Sequence, residues 1–301
     1  MNPTPGERPS WVDDTLYPFE SHFLDVDDCS VHYLDEGEGP TLLMLHGNPT
    51  WSFLYRDMIA DLSSDYRCVA PDYPGMGLSS ARRGYAFGPE EHARIVAGLV
   101  RGLDLTDVTM VLQDWGGPIG LAAAAADPDR YSRFVIGNTW CWPVDDVQFS
   151  AFSWLMGGPI GTFAHKRLNA FVEQVIPRAH SLRRPGEAEM AMWRGPYPTP
   201  ASREPTHVFP ERITGARPFL AQTRYDTMAT GLTDLPALLL WATRDPAFGT
   251  PVLRRMEATF ADHRTVLLEG ANHYWQDDAP DAACRAIRDW FDDSAGDRAA
   301  T

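Results

Sequence analysis

The chain has 301 residues, 44% hydrophobic and 22% charged, a length that fits two domains or one large α/β domain with an insertion, with no need of disulfides or metals to support the core. The formal net charge of −15, from 26 Lys and Arg against 41 Asp and Glu, repels phosphate backbones and anionic bilayers, so neither nucleic acid nor membrane is an expected partner. No apolar run approaches the ~18 residues of a transmembrane helix. The polar, Pro-rich start, Met1 to Trp11, has no basic or apolar signal segment, and Cys29, Cys68, Cys141 and Cys284 are too scattered for a zinc site or a disulfide framework. A cytoplasmic location is therefore expected.

In chain order, short apolar or β-branched runs at Val31–Leu34, Thr41–Leu45, Cys68–Ala70, Thr109–Leu112, Phe134–Gly137, Ala237–Trp241 and Thr265–Leu268 read as strands. Helical patterns follow several of them, at Ser52–Leu62, Pro89–Leu103, Gly116–Ala126, Val252–Phe260 and Ala279–Phe291. Strands alternating with helices predict an α/β fold with a mostly parallel sheet covered on both faces. Between about residues 143 and 234 the strand runs stop, and Pro, Trp and Arg become frequent. That segment reads as a helical insertion between two strands, a candidate lid over the sheet edge where ligands bind, with 1–142 and 235–301 forming the core.

The chemistry centres on Val111-Leu112-Gln113-Asp114-Trp115-Gly116-Gly117: a strand ends, one residue sits on a sharp turn, and a helix begins behind small residues. This is the layout of a nucleophile elbow, with Asp114 where hydrolases usually place Ser and with Leu112 where the usual pattern has Gly. Helix-start Asp residues are also ordinary N-caps, so the remaining members of a triad must be found. His273 follows the last strand run, at the position that nucleophile–acid–base order gives the histidine. Among the other eight histidines only His46 also follows a strand end, and His32, His92 and His263 read as packing or surface residues. The acid has two seats. The first holds Asn138, which carries no charge, so the choice falls on Asp245 in the second, with Asp145 and Asp146 as weaker alternatives.

His46-Gly47-Asn48-Pro49 follows a strand, where a His-Gly turn delivers one oxyanion-hole amide while the residue after the nucleophile delivers the other. Those amides belong to Asn48 and Trp115. Their side chains are neutral N–H donors, suited to holding a departing halide without protonating it. A carboxylate nucleophile would attack an sp³ carbon and leave an ester that water must then hydrolyse.

The segments His46 to Arg56, Gln113 to Pro118, and His273 with Gln276-Asp277 resemble those of the haloalkane dehalogenases, as do Tyr197–Pro200, Ser202–Pro205 and Phe209-Pro210. The similarity runs from about Tyr17 to Phe291. Asp245 as the acid, with an Asn48–Trp115 halide pair, is similar to the third subfamily of that family. The resemblance implies an α/β-hydrolase fold, with an eight-stranded, mostly parallel sheet flanked by helices and carrying an inserted helical cap. It also implies no cofactor or metal, a small apolar halogenated substrate, a released halide ion, and a tendency to form homo-oligomers. Trp142, Phe152, Trp154 and Phe163 are the candidate pocket walls.

Two rival functions use the same fold. An epoxide hydrolase would need cap tyrosines to protonate the epoxide oxygen, for which Tyr197 and Tyr225 are available, but usually carries an aromatic residue at the Asn48 position. A non-catalytic ligand-binding protein would be marked by loss of a triad member, and Asp114, His273 and Asp245 are all present.

Overall fold

The computed structural model describes residues 8–144 and 147–299. Its eight strands are β1 (His22–Val26), β2 (Cys29–Glu36), β3 (Thr41–Leu45), β4 (Arg67–Pro71), β5 (Val108–Asp114), β6 (Tyr131–Thr139), β7 (Ala237–Ala242) and β8 (His263–Leu268). They form one sheet in the order β1-β2-β4-β3-β5-β6-β7-β8. β2 runs antiparallel to both of its neighbours, and all pairs from β4–β3 to β7–β8 are parallel. The architecture is the α/β-hydrolase fold. Central strands covered on both faces need apolar side chains in both directions, which is why β3 reads Thr-Leu-Leu-Met-Leu and β7 reads Ala-Leu-Leu-Leu-Trp-Ala without alternation.

β1 is the strand that the apolar runs do not announce. It lies at the sheet edge, only half buried, and its His-Phe-Leu-Asp-Val mixes polar with apolar residues. The signal for it lies in the turn that follows: Asp27 and Asp28 both have positive φ, the two-residue hairpin geometry that matches strand twist.

Core helices α1 (Arg56–Leu62), α2 (Pro89–Gly102) and α3 (Gly116–Ala125) follow β3, β4 and β5. Pro89 opens α2, where its missing N–H costs nothing. Every described element between β6 and β7 is helical: α4 (Val147–Gly157), α5 (Pro159–Leu168), a π turn at Phe171–Val175, α6 (Ile176–Arg178), α7 (Glu187–Arg194), α8 (Glu204–Gly215), α9 (Arg217–Ala229) and a short 3-10 turn. α10 (Thr250–Glu257), α11 (Trp275–Asp278) and α12 (Pro280–Ala299) complete the core. The weaker alternatives Asp145 and Asp146 lie outside the described residues.

Two of the histidines read as packing or surface residues are deeply buried. His32 pairs with Asp72 at 2.8 Å, and the Asp72 carboxylate also accepts the amides of Ser52 and Leu78. His92 stacks on Phe209 and meets the Tyr85 hydroxyl. Such a paired, fully hydrogen-bonded carboxylate is the form in which a charge is tolerated inside a core.

Candidate active site

Parallel strands bring their C-terminal ends to one edge of the sheet, and the loops after β3, β5, β6, β7 and β8 meet there. β5 ends in Asp114, whose φ of 49° is strained for a residue with a side chain and turns its carboxylate up from the sheet. Close neighbours enforce the turn. A Cβ on Gly47 would lie 2.4 Å from that of Asp114, and one on Gly116 would lie 2.3 Å from the Leu45 carbonyl, so both positions need glycine. The Thr139 hydroxyl donates to the Asp114 carbonyl at 2.5 Å and fixes the turn from β6.

The Asp114 carboxylate is divided between two environments. Oδ1 accepts the Asn48 amide at 2.9 Å, and the nearby Trp115 amide also favours the charged form of the carboxylate. Oδ2 lies 3.7 Å from His273 Nε2. Burial pushes the Asp114 pKa up, while the charge of His273 and the two amides pull the other way. His273 Nδ1 sits 2.8 Å from Asp245 Oδ2, so Nδ1 carries the proton and Nε2 points to Asp114. Burial opposes a charged His273, yet the Asp245 and Asp114 carboxylates raise its pKa. Burial likewise opposes ionisation of Asp245, but His273 and the amides of Ala247 and Phe248 bring its pKa below the ordinary range.

Asn138 occupies the other acid seat with a structural function. Its Nδ2 donates to Asp245 Oδ2 at 3.0 Å and to the Ala242 carbonyl, and its Oδ1 accepts the Ala242 amide. Phe248 stacks on the His273 ring, 5.7 Å between centroids and 17° apart. His46 is turned away from the carboxylate: one nitrogen donates to the Gly47 carbonyl and the other accepts the Tyr73 amide, and burial lowers its pKa to about 4.

A cavity of about 540 Å³ opens above these groups, within the range of small-molecule sites. Asp114, His273, Asp245, Asn48 and Trp115 reach it from the sheet, whereas Phe149, Phe152, Phe171, Val175, Pro210 and Ile213 close it from the helical segment. The Asn48 side-chain amide donates to the Thr206 carbonyl at 3.1 Å, leaving its second hydrogen for another acceptor.

Of the four expected wall residues only Phe152 lines this cavity. Trp142 is buried beneath the Arg255 guanidinium, 4.2 Å from its ring centre. Trp154 and Phe163 are 78% and 60% exposed. Successive residues on a helix turn by about 100°, so the face of α4 that points Phe149 and Phe152 inward points Trp154 outward. The tyrosines that an epoxide hydrolase would need are also misplaced. Tyr197 is buried with its hydroxyl on the Pro49 carbonyl, Tyr225 is 67% exposed, and neither lines the cavity.

A buried ionic cluster lies next to His273. Asp277 on α11 accepts Arg56 from α1 at 2.6 Å and His180 at 3.0 Å, and it also meets Arg183. Burial opposes its ionisation, but these partners lower its pKa to about 2. The cluster ties the loop of His273 to the helical segment.

Fold and site together define an α/β hydrolase with an aspartate where serine hydrolases carry their nucleophile. The α/β-hydrolase-fold profile matches residues 40–280. Haloalkane dehalogenase 2 of Mycobacterium tuberculosis is 45% identical over 280 residues, covering 93% of this chain and 97% of that one. A haloalkane dehalogenase of Mycolicibacterium paratuberculosis is 31% identical, covering 95% and 97%. The crystal structure of haloalkane dehalogenase DbeA from Bradyrhizobium elkani USDA94 superposes with a TM-score of 0.83 at 27% identity, covering 94% of this chain and all of that one. The chain belongs to the haloalkane dehalogenases, and is a hydrolase acting on carbon–halide bonds.

Proposed function

We propose that Asp114, His273 and Asp245 form the catalytic triad and that Asn48 and Trp115 form the halide site, the combination of the third subfamily. Asp114 Oδ2 attacks the halogen-bearing carbon in line; a C–O bond forms as the C–halogen bond breaks, and the halide takes the electron pair. The free Nδ2 hydrogen of Asn48 and the Trp115 indole N–H receive that anion without transferring a proton. His273 Nε2 then takes a proton from water, whose oxygen attacks the Asp114 carboxyl carbon, while the Asn48 and Trp115 amides hold the developing negative charge on Oδ1. Asp245 stabilises the imidazolium that forms. Collapse of the tetrahedral intermediate breaks the bond from the Asp114 carboxyl carbon to Oδ2, which takes the proton of the His273 imidazolium and leaves as the alcohol oxygen, and the second water proton leaves the regenerated carboxyl to solvent.

The observation that carries this reading is the division of one carboxylate, with Oδ1 on the Asn48 amide and Oδ2 facing His273 and the cavity. Residues 143–234 act in the same reading as a cap that keeps bulk water from the carboxylate and selects apolar substrates. A cytoplasmic site of action is part of the proposal, supported by four cysteines that are all free and buried.

The test is bromide release from 1-bromobutane and 1,3-dibromopropane, with styrene oxide hydrolysis in parallel. The expected result is bromide and alcohol from the native chain and none from Asp114→Ala. Bromide release that survives in Asp114→Ala would remove Asp114 from the mechanism, and diol formation without bromide release would move the activity to epoxides.

A further inference from the structure

Gln113 immediately precedes Asp114 on β5, and its side chain is fully buried. Its Nε2 has two contacts, both with the same residue: His273 Nε2 at 3.0 Å and the His273 carbonyl at 3.2 Å. A carboxamide nitrogen has two hydrogens and accepts none. The carbonyl contact fixes which end of the amide faces His273, because a flipped amide would set oxygen against oxygen. The second hydrogen therefore points at the lone pair of His273 Nε2. Asp245 holds the proton of that ring on Nδ1, so the two contacts agree on one neutral tautomer.

We propose that Gln113 is a positioning residue for the hydrolytic half-reaction, clamping the ring and backbone of His273 and keeping Nε2 unprotonated until water takes the place of the amide hydrogen. This rests on the reading of His273 as the base.

The charged and titratable groups facing His273 explain why such a device is needed. In the free enzyme Asp114 from β5 and Asp245 from the loop after β7 both raise its pKa toward the imidazolium, which cannot accept a proton. Tyr274 beside it is neutral, its own pKa raised by burial and by both carboxylates. Arg178, from the helical segment, lines the same cavity. A protonated Nε2 would point a hydrogen at the Gln113 amide hydrogen, so in the alkyl-enzyme, where Asp114 is a neutral ester, Gln113 opposes the remaining Asp245 carboxylate at the one atom that must stay basic. The first chemical step uses Asp114 and does not need Nε2. Loss of Gln113 should therefore slow ester hydrolysis and spare halide release.

The experiment follows 1-bromobutane turnover by rapid-quench bromide release and intact mass in native protein, Gln113→Met, Gln113→Glu and His273→Phe. Gln113→Met keeps the shape and removes the donors, whereas Gln113→Glu offers Nε2 an acceptor. For Gln113→Met we expect a bromide burst close to the native one, then hydrolysis about tenfold slower near neutral pH with butyl-enzyme accumulating, and an acid limb displaced upward by roughly one pH unit, as loss of one hydrogen bond predicts. Gln113→Glu should trap the ester more completely. The burst amplitude counts folded sites, so poor folding of one variant does not imitate the effect. Native hydrolysis and an unshifted limb in both Gln113 variants, or a loss equal at every pH, would overturn the proposal while leaving the base assignment intact. Native turnover in His273→Phe would overturn both.

Discussion

Asn138 donates to Asp245 Oδ2 at 3.0 Å, and that same oxygen receives His273 Nδ1 at 2.8 Å. An amide near the end of one strand thus holds the carboxylate after the next, so the charge beside His273 and its orientation come from different strands.

Asn138→Leu should leave Asp245 charged but less well oriented. The expected loss is roughly 1–3 kcal/mol of stability, for leaving a buried partner unsatisfied, with kcat reduced by about tenfold. Asp245→Asn removes the charge itself, and ester hydrolysis should fall by roughly 10³–10⁴, as in other triads that lose their acid. Denaturant melts and steady-state kinetics on both variants separate the two contributions.

Halide retention should depend on Asn48 and Trp115 together. Asn48→Ala and Trp115→Phe each remove one neutral donor to an anion, a change of about 1.5–3 kcal/mol, or roughly 10–150-fold in the alkylation rate. Because Nδ2 of Asn48 also holds the Thr206 carbonyl, Asn48→Ala should in addition loosen the start of α8. Single-turnover bromide release at saturating substrate reads the first effect, and limited proteolysis of α8 reads the second.

Activity should fall on the acid side as His273 becomes protonated. In the free enzyme burial opposes the charge, but Asp245 and Asp114 raise the His273 pKa above the 6.5 of an ordinary histidine; once Asp114 is a neutral ester, only Asp245 still does so. An NMR titration of His273 in the unalkylated protein checks the sign; a midpoint below that value would contradict it.

Acid stability should carry the signature of Asp277. Its folded pKa of about 2 lies below the ordinary 3.8, so its contribution is complete above 3.8 and is lost as pH falls toward 2. The difference corresponds to about 2 kcal/mol. Urea unfolding across this window should show that loss in the native chain and a flatter dependence in Asp277→Asn.

Chain-length selectivity should respond to the face of the helical segment that lines the cavity and not to its outward face. Ile213→Trp fills cavity volume and should depress turnover of 1-bromohexane more than that of 1-bromobutane, whereas Trp154→Ser should leave both unchanged. A ratio of rates for the two substrates measures this directly.

How much of this was legible in the sequence depended on the range of the signal. Asp114, His273, Asp245 and Asn48 each stand within a few residues of a strand end, and strand-to-turn punctuation is local, so their common edge could be read from order alone. The edge strand β1 escaped because an edge need not be apolar. The cavity wall escaped for another reason. Trp154 and Phe163 are large and apolar, but which way each faces depends on the rotation of its helix against the sheet, and Trp142 lies between β6 and α4, on no helix; composition encodes neither. Gln113 was visible in the motif, yet its role depends on His273, 160 positions away in sequence.

The central claim is that water attacks the Asp114 carboxyl carbon and not the substrate. A single turnover of 1-bromobutane in ¹⁸O-water tests it most directly. The account predicts unlabelled butanol, whose oxygen comes from Asp114, and heavy oxygen in the peptide containing Asp114. Labelled butanol from the first turnover, with that peptide unlabelled, would contradict it.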